Sequence, residues 1–180
     1  MGWTDLPRCA GRGRVIRNFS WVIPRRLAGA ALPGEGAPWS GEYLLSDLME
    51  LRAEGIRHLV SLTDYAREFA PYCRKAGLRW TYFPIRDFHV PENLARFAEL
   101  VETLYGEIVA GQAVCVHCFA GIGRTGLVLA CIVGMYYNIG GEAAIRRVRA
   151  VRPSLETVEQ ELFVPIFEKS ILHPASRFKY

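Results

Sequence analysis

Val116-His117-Cys118-Phe119-Ala120-Gly121-Ile122-Gly123-Arg124-Thr125-Gly126 separates two apolar runs, Ala113 to Val116 before it and Thr125 to Tyr137 after it. The first run has the size of a strand buried on both faces of a parallel sheet. The second has the length of a buried helix. A strand, a glycine-rich turn and a helix in that order form one unit of an α/β fold, and the turn falls where the helix begins. Unpaired backbone N–H groups and the positive end of the helix dipole meet there, which makes an anion site. Gly121 and Gly123 let the chain curl so that successive N–H groups point inward as a nest. Arg124 opens the helix, where its guanidinium can grip two oxygens of a phosphate.

Cys118 enters this cradle from the strand side. A free thiol is mostly protonated at neutral pH, but a helix N-terminus, an arginine and a nest all favour the thiolate. A nucleophile then stands beside donors preorganised for three equatorial phosphate oxygens. A nucleotide-binding phosphate loop is excluded, because no Gly-Lys-Ser/Thr follows the glycines.

Working outward, Phe19 to Ile23 reads as a first strand and Gly29 to Pro38 as loop. Ser40 is placed to cap a helix carrying Leu44, Leu45, Leu48 and Leu51, closed by Gly55. Ile56 to Leu62 and Arg79 to Ile85 read as strands, with a short helix from Pro71 to Ala76 between them. Glu92 to Ala110 carries a helical apolar stripe and ends at Gly111. Helices are predicted again over Glu142 to Val151 and Leu155 to Ser170, the latter kinked or cut short at Pro165. Strands alternating with helices predict an α/β fold with a central, mostly parallel sheet of about five strands flanked by helices. The expected organisation is a loose basic arm over residues 1–18, one domain over 19–172 and a tail over 173–180.

The 180 residues, 51% hydrophobic and 22% charged, describe an ordinary globular chain, which excludes disorder and a disulfide miniprotein. The formal charge of +4 is unevenly placed. Residues 1–34 carry six Arg against one Asp, and residues 117–153 five Arg against one Glu, on an otherwise acidic chain. That points to an anionic ligand. Arginine greatly outnumbers lysine, a bias that a GC-rich genome alone produces. An odd cysteine count (Cys9, Cys73, Cys115, Cys118, Cys131) and no signal-peptide pattern lead to the expectation of a reduced, cytoplasmic protein. No apolar run reaches the ~20 residues a bilayer needs, so no membrane partner is expected.

His-Cys-x5-Arg-Thr-Gly over residues 117–126 resembles the signature of the cysteine-dependent protein tyrosine phosphatases, most closely the small atypical dual-specificity group. Asn18-Phe19-Ser20-Trp21-Val22, Arg57 to Thr63, and Arg149-x-x-Arg152-Pro153 followed by Glu156-Thr157-x-Glu159-Gln160-Glu161 are similar to further segments of that group. The resemblance implies a metal-independent, cofactor-free phosphomonoesterase. Cys118 would form a phosphocysteine and Arg124 would bind the phosphoryl group. Thr125 would hydrogen-bond the departing thiolate, and His117 would support the loop and help lower the thiol pKa. The loop amides of Phe119, Ala120, Gly121, Ile122 and Gly123 would complete the phosphate site. Asp87, within Ile85-Arg86-Asp87-Phe88-His89-Val90-Pro91, matches the general acid. Arg86 departs from the group, which usually has Pro there, and as a neighbouring cation it bears on the acid. Gln160 matches a family glutamine near the site.

Taken without the resemblance, His117 reads as a structural, hydrogen-bonded histidine, His89 as a surface residue and Gln160 equally as helix surface. Cys115 and Cys118 spell a CxxC, but no second pair follows at zinc spacing, so no metal is expected and Cys115 is assigned to the core. Oxidation of Cys118 would take Cys73 or Cys115 as its partner. Of Arg146, Arg147, Arg149 and Arg152, some are expected at the catalytic loop and the rest on the surface. The expected substrates are phosphotyrosine proteins, with phosphoserine and phosphothreonine open, acted on by a monomer. The alternatives are an RNA 5′-phosphatase, kept open by the basic arm, a phosphoinositide phosphatase, or a weakly active phosphate-binding module.

Overall fold

The computed structural model describes residues 16–34 and 40–172. The basic arm up to residue 15, part of the proline- and glycine-rich loop, the tail over 173–180 and Cys9 lie outside the described residues. The chain order is β1 (Ser20–Ile23), β2 (Leu27–Ala30), α1 (Gly41–Ala53), β3 (His58–Ser61), α2 (Ala70–Lys75), β4 (Arg79–Tyr82), α3 (Leu94–Val109), β5 (Val114–His117), α4 (Gly123–Tyr137), α5 (Gly141–Arg149) and α6 (Val158–Leu172). A 3₁₀ turn at Asp64–Ala66 follows β3.

The five strands form one sheet in the order β1-β2-β5-β3-β4. β2, β5, β3 and β4 run parallel, and β1 pairs antiparallel to β2 at the edge. His117, the last residue of β5, lies in register with Ala30 of β2 on one side and Ser61 of β3 on the other. The carboxyl ends of the three central strands therefore converge where the glycine-rich turn leaves β5, the usual place for a site in an open α/β sheet.

Side-chain alternation along buried strands divides the core in two. Val60, Val114 and Val116 face the layer of α3, α4, α5 and α6. Leu59, Ala28 and Cys115 face α1 and α2. α4 is buried from Gly123 through Gly134 because the sheet covers one side and three helices cover the rest. That enclosure, and not a bilayer, accounts for its apolar composition; no single helix among the described residues is long and apolar enough to cross a membrane.

The structure corrects the sequence reading in four places. Leu27–Ala30 is a strand inside the sheet, between β1 and β5, so the segment read as loop from Gly29 begins in β2. α4 starts at Gly123, ahead of the expected Thr125, which puts Arg124 inside its first turn. α6 begins at Val158 instead of Leu155, which has φ 64°, and it runs through Pro165 without ending. Ile16 to Asn18, assigned to the arm, belong to the fold: Ile16 is buried against α1, and the Arg17 carbonyl accepts from Ala31 N at 2.9 Å.

Candidate active site

The turn between β5 and α4 is shaped by what holds its carbonyls. Leu32 N donates to the Phe119 carbonyl at 2.9 Å. Asn18 Nδ2 donates to the carbonyls of Ala120 at 3.0 Å and Gly121 at 3.3 Å. Arg152 Nη2 reaches the Gly121 carbonyl at 2.6 Å, and the Ile122 carbonyl takes Gly126 N at 2.8 Å. Four successive carbonyls are thus engaged, those of residues 119 to 121 by donors from other segments. Gly121 N points at Cys118 Sγ, 3.3 Å away, while the amides of Phe119, Ala120 and Ile122 donate to no described group. Unpaired peptide N–H groups gathered at a helix N-terminus form a concavity that an anion can fill. Gly121 has φ 75°, and a Cβ there would run into the Ala30 carbonyl, so the turn requires glycine. Gly123 N is occupied by the Glu156 carboxylate at 2.8 Å, which takes one amide of the cradle out of the set available to a ligand.

Cys118 sits at the bottom, 2% exposed. Arg124 is buried on the first turn of α4; its Nη1 donates to the Ile85 carbonyl at 3.1 Å and its Nη2 pairs with Asp87 Oδ1 at 2.7 Å. Its Nε and the Thr125 hydroxyl are buried polar atoms without a hydrogen-bond partner. Two unsatisfied donors beside the cradle fit a ligand rich in oxygen. Asp87 is exposed on the loop after β4, and this loop, Arg124, Tyr65, Tyr82, Phe83 and Arg96 line a cleft of about 570 Å³. Arg86 is exposed on the same loop, where its carbonyl accepts from His89 N at 3.1 Å.

His117 is fully buried and stacked on Phe69, with ring centroids 5.8 Å apart. Its Nδ1 faces the Cys118 carbonyl at 3.0 Å, and its Nε2 lies 2.6 Å from Ser61 Oγ. A carbonyl only accepts, so the ring proton sits on Nδ1; Trp80 Nε1 donates to Ser61 Oγ at 2.9 Å, which leaves the hydroxyl proton for Nε2. Burial lowers the His117 pKa to about 4, with the Arg124 charge adding to it, so the ring is neutral at pH 7. It braces the peptide of the cysteine and presents no positive charge to it. Sequence reasoning named His117 but not Ser61, which meets its ring from the neighbouring strand β3, or Trp80 of β4, which donates to Ser61. Arg152, of the arginine cluster expected in part at the catalytic loop, is the member that reaches it, and it is buried, with Nη1 on Ser20 Oγ at 3.0 Å. Its three companions are exposed: Arg146 near Glu142, Arg147 over the Tyr137 ring and Arg149 on the Ser154 carbonyl.

Gln160 is fully buried, not on the helix surface, and donates from Nε2 to the His89 carbonyl at 3.3 Å. His89 is exposed, as expected. Cys115 is in the core, and burial raises its thiol, like that of Cys73, to about 12. Neither is a ready thiolate to pair with Cys118.

The chain is similar to known proteins in sequence and in fold. Protein 067L of Invertebrate iridescent virus 3, named as a tyrosine phosphatase, is 28% identical over 66% of this chain and 52% of its own length. The chain spans about half the length of that relative and of its counterpart 197R in Invertebrate iridescent virus 6. The dual specificity protein phosphatase CDC14C of Homo sapiens is 34% identical over 42% of this chain and 16% of its own. In fold, the chain is similar to Tk-PTP in its active form, with a TM-score of 0.71 at 24% identity, covering 84% of this chain and 97% of that one. It is likewise similar to PTPMT1 in complex with PI(5)P, at TM-score 0.70 and 21% identity, covering 88% and 99%. A family model matches residues 33–136, the stretch that runs from β2's end through the cysteine turn into α4. With a five-stranded sheet of this topology and Cys118 to Arg124 at its carboxyl edge, the chain belongs to that family, described as polymorphic toxin system, DSP-PTPase phosphatase.

Proposed function

We propose that the chain hydrolyses phosphate monoesters of tyrosine in proteins, without a metal, through a phosphocysteine at Cys118. One observation carries this reading: in a turn whose carbonyls 119–122 are all engaged, the Gly121 amide points at the Cys118 sulfur, and the Arg124 guanidinium beside it pairs with Asp87. In the first step the Cys118 thiolate attacks phosphorus, the bond to the leaving oxygen breaks, and protonated Asp87 gives that oxygen its proton. In the second, Asp87 takes a proton from water, the water oxygen attacks phosphorus, and the P–S bond breaks. The Thr125 hydroxyl then has the departing sulfur as its missing acceptor. An incoming phosphate takes over the Arg124 Nη2 that the Asp87 carboxylate holds, and the freed carboxylate takes up a proton from solvent before it gives one to the leaving oxygen.

An aromatic rim favours an aryl phosphate. Tyr65 is 70% exposed and packs against Phe119, 38% exposed, at 5.2 Å between centroids; Phe88 is 54% exposed on the acid loop. Such faces stack on a phenyl ring, and they leave smaller phosphoserine and phosphothreonine esters as secondary substrates. A phosphoinositide is the second reading, supported by PTPMT1 having been captured with PI(5)P and by Arg96 lining the cleft. The uncharged residues 119–123 weigh against a polyanionic headgroup.

The test is turnover of p-nitrophenyl phosphate in EDTA. Cys118→Ser is expected to lose activity by a factor on the order of 10⁴; a serine variant turning over near the wild-type rate removes the mechanism. Phosphotyrosine peptides set against phosphoinositides then separate the two substrate readings.

A further inference from the structure

The turn that leads into α6 touches both halves of the site. On one side the Glu156 carboxylate holds Gly123 N in the cysteine turn. On the other, Thr157 Oγ1 donates to the Phe88 carbonyl at 3.3 Å and Gln160 Nε2 donates to the His89 carbonyl at 3.3 Å. The same residues are fixed by their own helix start. Gln160 Oε1 accepts from Glu156 N at 2.9 Å, and Thr157 Oγ1 accepts from Gln160 N at 3.2 Å, which caps α6 and directs the hydroxyl proton outward to Phe88.

Phe88 and His89 are the two residues that follow Asp87. Phe88 has φ 63°, a left-handed conformation that a bulky residue takes only where its surroundings impose it. The other bonds of this turn are internal: His89 N to the Arg86 carbonyl, His89 Nδ1 to the Asp87 carbonyl and Phe88 N to Asp87 Oδ1. The external anchors on the Phe88 and His89 backbone come from Thr157 and Gln160.

We propose that Thr157 and Gln160 are positioning residues for the general acid. They hold the strained turn at Phe88 so that Asp87 is aimed at the leaving oxygen. Because Glu156 in the same segment grips the cysteine turn, the spacing between nucleophile and acid is set by the start of α6. This rests on the phosphatase reading above, in which Asp87 is the acid.

The experiment measures kcat and kcat/KM of the full chain on a series of aryl phosphates whose phenols range from acidic to weakly acidic. Thr157→Val removes one donor at a half-buried position, Thr157→Ser restores it, and Gln160→Glu tests the second anchor without emptying the buried space. Thr157→Val is expected to lose about tenfold on the least acidic phenols and less than about twofold on p-nitrophenyl phosphate, since a poor leaving group depends most on its proton. Thr157→Ser recovers the loss, and Thr157→Val added to Asp87→Asn costs nothing further. A loss equal across all leaving groups, or one that adds in full to Asp87→Asn, overturns the proposal and marks Thr157 as a stabilising residue only. Full turnover by Cys118→Ser overturns the underlying phosphatase mechanism instead, and the two failures are read from different variants.

Discussion

The two loops that make the site are built on opposite terms. The cysteine turn is buried between β5 and α4, and each of its carbonyls from 119 to 122 is taken by a donor from another segment. The acid loop is exposed from Arg86 through His89 and is tied down by Arg124 and by the residues that open α6. Stereochemistry at phosphorus demands a fixed cradle, whereas the acid must come and go with the leaving group. On the proposed mechanism the buried turn binds the charge and the exposed loop delivers the proton.

Asp87→Asn should separate the halves most sharply. It is expected to lower kcat on a poorly acidic phenol by roughly 10²–10⁴ while leaving p-nitrophenyl phosphate far less affected. Stability should stay within about 0.5 kcal/mol of wild type, because the side chain is more than half exposed. A large drop in thermal stability would mean that this carboxylate is part of the frame.

Acid should attack the other half. His117 is held neutral down to about pH 4 against an ordinary value of 6.5, because burial opposes its charge. Between those values the unfolded chain takes up a proton that the native chain refuses. Stability from this residue is therefore intact above pH 6.5 and declines as pH falls toward 4, on the order of a few kcal/mol in total. His58 is lowered by burial too and contributes in the same direction. Urea unfolding between pH 7 and 4.5 should show a shallower pH dependence for His117→Gln than for wild type; equal slopes would mean that the buried ring is not the group responsible.

Arg152→Leu is the smallest of the three and combines both signatures. It strips a charged donor from the Gly121 carbonyl and from Ser20, which should cost about 2–3 kcal/mol. Turnover should fall by a similar factor for every leaving group, in contrast to Asp87→Asn. A leaving-group-dependent loss would place Arg152 with the acid instead of the cradle.

What the sequence discloses follows the same division. The cysteine turn, its strand and its helix were legible because the chemistry is contiguous: Cys118 to Thr125 is one short run. Asp87 was found through its family-like surroundings. The braces were not, since Ser61 and Trp80 acquire their meaning only when separate strands meet. β2 escaped for a different reason. Leu27-Ala28-Gly29-Ala30 has no β-branched residue and runs into glycine and proline, so propensity argues for loop. Two strands flank it and all four of its residues are buried, and that tertiary demand overrides composition. Pro165 similarly fails to end α6, packing instead against Gly141, where a Cβ would collide with it.

The Asp87–Arg124 pair has a consequence for which solutes reach the sulfur. A carboxylate tethered a few ångströms from the guanidinium competes at a local concentration no free monoanion in solution matches. Chloride or acetate offers Arg124 nothing that Asp87 does not already supply. A phosphate monoester brings two charges and three oxygens, enough to satisfy the idle amides and the unused Nε together. On the proposed function, this internal anion sets a threshold that a ligand poor in oxygen does not pass.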